Sequence, residues 1–316
     1  MPTFTILLPA KGRPELVVDA ITSIIGQTFG DFEVIFSNNG ADPLVREAIR
    51  PFLHDPRVRY FEQPRVLPMP EHWETISLHS RGRYQIVVPD RSLLCHDALE
   101  KIAALHATGT DEAKIVSWTW DLYHVRSRML ESIGGVRGES VILDSDIVAL
   151  SWLSTDNIYP TALPRGLNSS VSTSIVEEIR GRIGCAFATL NPDFTFAYCC
   201  LMTRPRFIHL PQALSISQGL DVSNGGNAYR SDATAYLSTL GLKKAIRHSP
   251  IDAPLVENII AEDFFAACHR FDRLDLIERI DRSAFYVKCL EEWQVKCEAS
   301  ILTPSTLVEL RQAIQS

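Results

Sequence analysis

Few side chains in this 316-residue sequence combine a reactive type with a telling position. Lys11 and Arg13 follow the short apolar run Phe4 to Leu8, and Arg65 stands in a Pro-flanked stretch before Glu71. A cation at a strand exit can hold an anionic group, although most lysines and arginines are solvated loop charges. Asp193 sits between Pro192 and the apolar run Phe194 to Leu201. A desolvated carboxylate there can take a proton from a hydroxyl, and an Asp at that place can equally cap a helix. The residues alone leave both readings open. His72, His79, His96 and His209 have no mutual spacing that makes them ligands, and Cys199-Cys200 lies in an apolar run with no adjacent base to activate a thiol. Trp73 on a short amphipathic helix, and Trp118 and Trp120 on one face of a strand, read first as packing.

The elements that must position these residues alternate. Phe4 to Leu8 is a strand bounded by Pro9 and Gly12, and Pro14 opens a helix whose apolar face is Leu16, Val17, Ala20, Ile21, Ile24 and Ile25. Phe32 to Phe36 is a second strand, Asn38-Asn39-Gly40 a turn, and Asp42-Pro43 the start of the next helix. Val58 to Phe61 is a strand, Glu71 to His79 a helix, and Tyr84 to Val88 a strand ending at Pro89-Asp90. Asp97 to Glu100 resembles a capping box. Near-continuous apolar strands alternating with helices predict a mostly parallel, Rossmann-like α/β sheet flanked by helices. Ligands in such sheets bind beyond the carboxyl ends of the strands, so Pro9 to Arg13, Ser37 to Asp42 and Pro89 to Ser92 should share one crevice.

From about Asp111 the pattern turns mixed. Ile115 to Trp120 is a strand and Ser174 to Arg180 a helix, while Ser215 to Ser231, rich in Gly, Ser and Asn, is expected to be a mobile linker or lid. Residues 232–316 read as helices broken at Pro250, Pro254 and Pro304, which divides the chain into 1–231 and a helical C-terminal extension.

Composition removes several classes. With 31 basic against 38 acidic side chains and a net charge of -7, nucleic acid is not an expected partner. Seven unpaired-looking cysteines fit a reducing compartment without disulfides or zinc, and no apolar run is long enough to span a bilayer. A cytoplasmic protein, at most peripheral to a membrane, is expected. The first strand exits into Pro-Ala-Lys-Gly-Arg, not a Gly-x-Gly-x-x-Gly turn, which argues against a dinucleotide enzyme.

Several segments together resemble a known family. FTILLPAKGRPE (residues 4–15) resembles the opening PTYNRPE segment of inverting glycosyltransferases of family 2, which have the GT-A fold. IIGQTFGDFEVIFSNNG (24–40) resembles their QT-strand-DNG signature, and QPRVLPMPEHW (63–73) their NxGMAxNW segment. GRYQIVVPDRSLLCHDALEK (82–101) aligns without a gap to GxYxxxLDDDDLLxPDALEK, and Asn168 to Leu201, ending LNPDFTFAYCCL, resembles the acceptor-side segment with its ED or PD pair. The likeness runs from about residue 4 to 226.

The resemblance implies a nucleotide-sugar donor site formed by Pro9, Ala10, Lys11, Arg13, Asn38, Asn39, Arg65, Asp90 and Arg91. It implies an acceptor side at Trp73, Asn168 and Ser170, with Asp193 as the general base. The acceptor would be a hydroxyl of a glycan, a lipid-linked glycan or another molecule. Two departures bear on this. The acidic cluster that holds Mg2+ or Mn2+ in the family is reduced to Pro89-Asp90-Arg91-Ser92, so Asp90 could hold the ion only weakly, or Arg91 could supply the positive charge instead. Asn38 replaces an aspartate directed at the nucleotide base, which leaves the base open. The thin acidic cluster also weakens a nucleotidyltransferase. The alternative from another class is a catalytically inactive binding or partner subunit on the same fold. Homo-oligomerisation is left open.

Overall fold

The computed structural model describes residues 1–125, 127–133, 138–154, 157–188, 190–218, 231, 233–240, 246–302, 307, 308, 311 and 312. Strand β1 (Phe4–Ala10) is buried at every residue and lies between parallel neighbours β2 (Phe32–Asn39) and β4 (Tyr84–Val87). Strand β3 (Val58–Gln63) continues the parallel set beyond β2. The sheet then turns mixed through β9 (Ser169–Ser172), β6 (Ile115–His124), β10 (Arg206–Gln218) and β5 (Ser92–Leu94), in the order β3-β2-β1-β4-β9-β6-β10-β5. Strands β7 (Met129–Ser132) and β8 (Val141–Asp144) add antiparallel edges to β6 and β10. This is the mixed α/β, mostly parallel architecture that the alternating pattern predicts.

Two hydrophobic clusters cover the faces. One packs α1 (Pro14–Ile25), α2 (Pro43–Ile49) and α4 (Ala98–His106) against Phe4, Ile6, Leu8 and Phe36. The other joins Leu7, Ile35 and Val87 to α3 (Met69–Ser77), α5 (Ser145–Ser151), α6 (Thr173–Ile183) and α7 (Pro192–Thr203). The same cluster takes in Phe264 and Cys268 of the C-terminal helix at Val256–Phe271 and Phe285 of the helix at Arg282–Glu298. The C-terminal helices therefore share a core with the sheet rather than hanging from it as an appendage. Gly82 permits a close crossing: a Cβ there would lie 2.5 Å from the Thr5 nitrogen and 2.6 Å from the Phe4 carbonyl carbon.

Local corrections have physical causes. Asn38 and Asn39 end β2 instead of forming a turn, because ladder pairing with β1 and β3 continues to them; the turn falls at Gly40 and Ala41, with φ of 93° and 53°. The expected capping box at Asp97 does not form: Asp97 pairs with Lys101 at 2.8 Å and Glu100 accepts from Thr28. The third helix begins two residues earlier than expected, at Met69, and the helix expected at Ser174 to Arg180 extends to Thr173–Ile183. Ser215 to Gln218 belong to β10, where they pair with β5 and β6; residues 219–230 and Pro304 lie outside the described residues. Among the described residues no helix is long and apolar enough to cross a membrane.

Candidate functional site

Parallel register brings the strand exits together. Ala10 pairs with Asn38 and Leu7 with Val87, so the segments after β1, β2 and β4 open onto one edge of the sheet. Pro9 and Ala10 are buried and offer backbone there. Lys11 is exposed, and its backbone N–H donates to Asp90 Oδ2 at 3.3 Å. Arg13 has a left-handed φ of 56°, and its Nη2 lies 2.8 Å from Asp90 Oδ1. Asp90 is buried; burial raises its pKa, against the opposing pull of Arg13, the Lys11 N–H and Arg91.

The residues of β2 and the following loops act on the frame. Asn38 is fully buried, its Nδ2 donating to the Asp42 carbonyl at 2.8 Å and its Oδ1 accepting from the Asp42 N–H at 3.1 Å. Its amide is thus committed to the β2 exit rather than turned to a nucleotide base. Asn39 holds the backbone of Leu67 from both sides, at 3.0 and 2.8 Å. Arg65 pairs with Glu71 at 2.7 Å on the surface. Ser37 and His72 are buried partners at 2.9 Å, and burial together with the Lys11 charge pushes His72 down to about 4.

Arg91 is anchored by the end of β10: its Nη1 donates to Ser217 Oγ at 2.6 Å, and its carbonyl accepts the Gln218 N–H. Burial, then Arg13, lowers the Arg91 pKa, while Asp90 and Asp193 oppose; Arg165 adds to the lowering. Arg165 is the functional candidate that sequence reasoning missed. Its guanidinium lies over the Trp120 ring, 4.5 Å from the centroid, and 5.4 Å from that of Phe194. Gly166, at φ 75°, follows it and packs against Val87, whose N–H donates to the Gly166 carbonyl. The available signal was Pro164-Arg165-Gly166: a cation locked in a turn by a residue that tolerates positive φ. Trp120, read as packing, instead carries this cation, whereas Trp118 is buried core with Nε1 donating to Ser215.

Asp193 is in the first turn of α7, partly exposed. Burial raises its carboxyl pKa; Arg165, the N–H groups of Phe194 and Asp193, and Arg91 pull the other way. The N-cap residue is Asn191 rather than Asp193, which stands two positions on, where its carboxylate meets first-turn N–H groups and feels the charges of Arg165 and Arg91. The expected acceptor residues are all buried. Trp73 is buried, edge-on to Phe187 at 5.8 Å. Asn168 is buried, with Nδ2 donating to the carbonyls of Trp118, Thr161 and Leu163. Ser170 is buried against His106 Nε2 at 2.8 Å. The polar groups of Asn168 and Ser170 hold loops and strands together.

The donor set does not suit a divalent ion held by protein. Among the described residues no group of three or more His, Cys, Asp or Glu is arranged as a metal site, and both Asp90 oxygens already face Arg13 or the Lys11 N–H. Arg13, Arg91 and Arg165, with Lys11 nearby, outnumber the carboxylates Asp90 and Asp193. An excess of fixed positive charge beside a strand edge matches an anionic ligand.

The fold defines a class: it is of the GT-A type. Residues 5–131 match the family model described as Glycosyl transferase family 2. Among solved structures, it is similar to Staphylococcus aureus TarS 1-349 in complex with UDP-GlcNAc, with TM-score 0.55, 12% identity, and 86% of this chain and 74% of that chain covered. For TarS 1-349 in complex with UDP the values are 0.54, 14%, 86% and 73%. Against the longer S. aureus TarS structure they are 0.54, 13%, 86% and 44%, so the chain spans less than half of that protein.

Proposed function

We propose that the protein is an inverting glycosyltransferase that moves a sugar from a nucleotide-sugar donor to an acceptor hydroxyl, with Asp193 as general base. The observation that supports the reading is the Arg165 guanidinium 5.4 Å from the ring centroid of Phe194, the neighbour of Asp193 in the first turn of α7, with Arg165 and Arg91 both lowering the Asp193 carboxyl pKa. The acceptor oxygen attacks the anomeric carbon as the bond to the diphosphate breaks. Its proton passes to Asp193, and the electron pair leaves with the nucleoside diphosphate. Arg91 and Arg165 stabilise the charge that grows on the departing phosphate oxygens, a role that guanidinium fills through paired N–H donors. Lys11 and the backbone of Pro9 and Ala10 complete the donor site in this reading, and Arg65 closes its outer side.

The donor tried first is a uridine diphosphate sugar, because TarS structures carry UDP-GlcNAc and UDP on the same fold. A glycan or lipid-linked acceptor, and cytoplasmic action by a chain whose seven cysteines are free, belong to the same reading. Residues 1–231 supply the donor chemistry, and residues 232–316 brace the acceptor side.

The test pairs binding with turnover. A thermal-shift panel of nucleoside diphosphates and their sugars, with and without divalent ion, identifies the donor; sugar transfer by wild type and Asp193→Asn is then compared. Donor binding without transfer in the variant supports the reading, and equal transfer rates refute it.

A further inference from the structure

The buried carboxylate of Asp263 lies in the C-terminal helix Val256–Phe271, far from the strand exits in sequence. Its Oδ1 accepts from the Leu190 N–H at 3.4 Å and from Thr195 Oγ1 at 2.7 Å. Its Oδ2 accepts from the Asn191 N–H at 3.1 Å and from Asn191 Nδ2 at 2.9 Å. All four donors flank Asp193. The N-cap of α7 is Asn191, whose side chain makes no capping bond to the helix because it is turned to Asp263. The Tyr236 hydroxyl donates to the Leu190 carbonyl and fastens the same loop from another side.

The helix that carries Asp263 is itself fixed at its start. Glu292, from the helix Arg282–Glu298, accepts the N–H groups of Val256 and Glu257 at 2.8 and 2.9 Å and pairs with buried Lys296 at 2.7 Å. A fully buried carboxylate is costly to keep charged unless donors surround it, so these bonds constrain each other's geometry strongly. A general base must stand within hydrogen-bond reach of the proton it takes, and small displacements there cost rate more than affinity.

We infer that Asp263 is a positioning residue for Asp193: the C-terminal helices set the direction of the base by clamping the Leu190 to Thr195 segment. The inference rests on the reading of Asp193 as base. Asp263→Asn tests it sharply, since an amide would turn N–H toward one pair of donors. Thr195→Val removes a single bond and is the milder variant if Asp263→Asn does not fold; Thr195→Ser keeps the hydroxyl.

The measurements are UDP affinity, kcat and KM for UDP-GlcNAc turnover, and amide exchange over residues 190–195. Expected for Asp263→Asn and Thr195→Val are UDP affinity and KM within twofold of wild type, kcat down at least tenfold, and exchange in the segment raised at least tenfold. Thr195→Ser should return kcat to within threefold. A folded Thr195→Val with wild-type kcat, or with wild-type exchange in the segment, overturns the inference. If Asp193→Asn abolishes turnover while Thr195→Val is normal, the positioning role alone falls; if Asp193→Asn turns over normally, the base reading falls and the role with it.

Discussion

Arg13 Nη2 lies 2.8 Å from Asp90 Oδ1, so the one carboxylate of the Pro89-Asp90-Arg91-Ser92 segment is paired with a guanidinium from the neighbouring strand exit. The pair joins the loops after β1 and β4 and leaves Asp90 little capacity to coordinate a cation. Positive charge at the crevice is supplied by covalently attached groups.

Nucleoside diphosphate binding should therefore persist in chelator, with a calorimetric Kd within about twofold of that in Mg2+ or Mn2+. Arg91→Ala should weaken it roughly 10-fold or more, as expected for loss of a hydrogen bond to a charged group worth about 1.5–3 kcal/mol. Binding that vanishes in chelator and returns with manganese would contradict this account.

The pH dependence of transfer should carry an acid limb set by Asp193. A base works only when deprotonated, and burial raises this carboxyl above the ordinary range, so kcat should fall as pH drops through that raised value. Arg165 pulls the Asp193 pKa down, so Arg165→Gln should move the limb to higher pH in a pH-rate profile. A limb that stays in place would remove Arg165 from the site.

Acid should destabilise the fold through three buried histidines. His72, His106 and His209 are each pushed from the ordinary imidazole value near 6.5 down to about 4, by burial in every case and for His72 also by the Lys11 charge. Between those values the unfolded chain binds more protons than the folded one, so stability rises with pH across the window and is lost as pH falls through it. Each site contributes on the order of 3 kcal/mol across the full window. His106, held between the Ala113 carbonyl and Ser170 Oγ, is the site to replace: His106→Gln should lower stability at pH 7 yet flatten its fall toward pH 4 in urea titrations.

Gly82→Ala should destabilise without touching the crevice. The added Cβ would meet backbone atoms of Phe4 and Thr5 at 2.6 and 2.5 Å, which cannot rotate away. A loss of roughly 1–3 kcal/mol is expected from overpacking, read as a lower urea midpoint with unchanged slope. An unchanged midpoint would mean that β1 shifts freely, against its burial.

Much of the frame was legible before any coordinates. Phe4 to Leu8 and Tyr84 to Val88 announce strands because short, mostly apolar runs bounded by Gly and Pro are too brief for a helix, and Pro14 and Asp42-Pro43 mark helix starts through fixed φ and side-chain capping. The exit loops that carry Lys11, Arg13, Asp90 and Arg91 follow from that alternation, since parallel strands end on one edge. Local chemistry was less readable where a side chain had two partners to choose from. Asp97 could cap a helix or pair with Lys101, and only the packed surroundings select the second.

The sequence by itself determined the kind of sheet, the edge on which its parallel strands end and the residue types offered there, because these depend on periodicity and chain direction. Tertiary structure alone decided that Asn38, Trp73, Asn168 and Ser170 serve the frame, that Arg165 stands over Trp120 near Asp193, and that Asp263 grips the segment bearing that carboxylate. The contacts of Arg165 with Trp120 and of Asp263 with Asn191 join residues 45 and 72 positions apart, and no local preference encodes which distant donor a buried acceptor will meet.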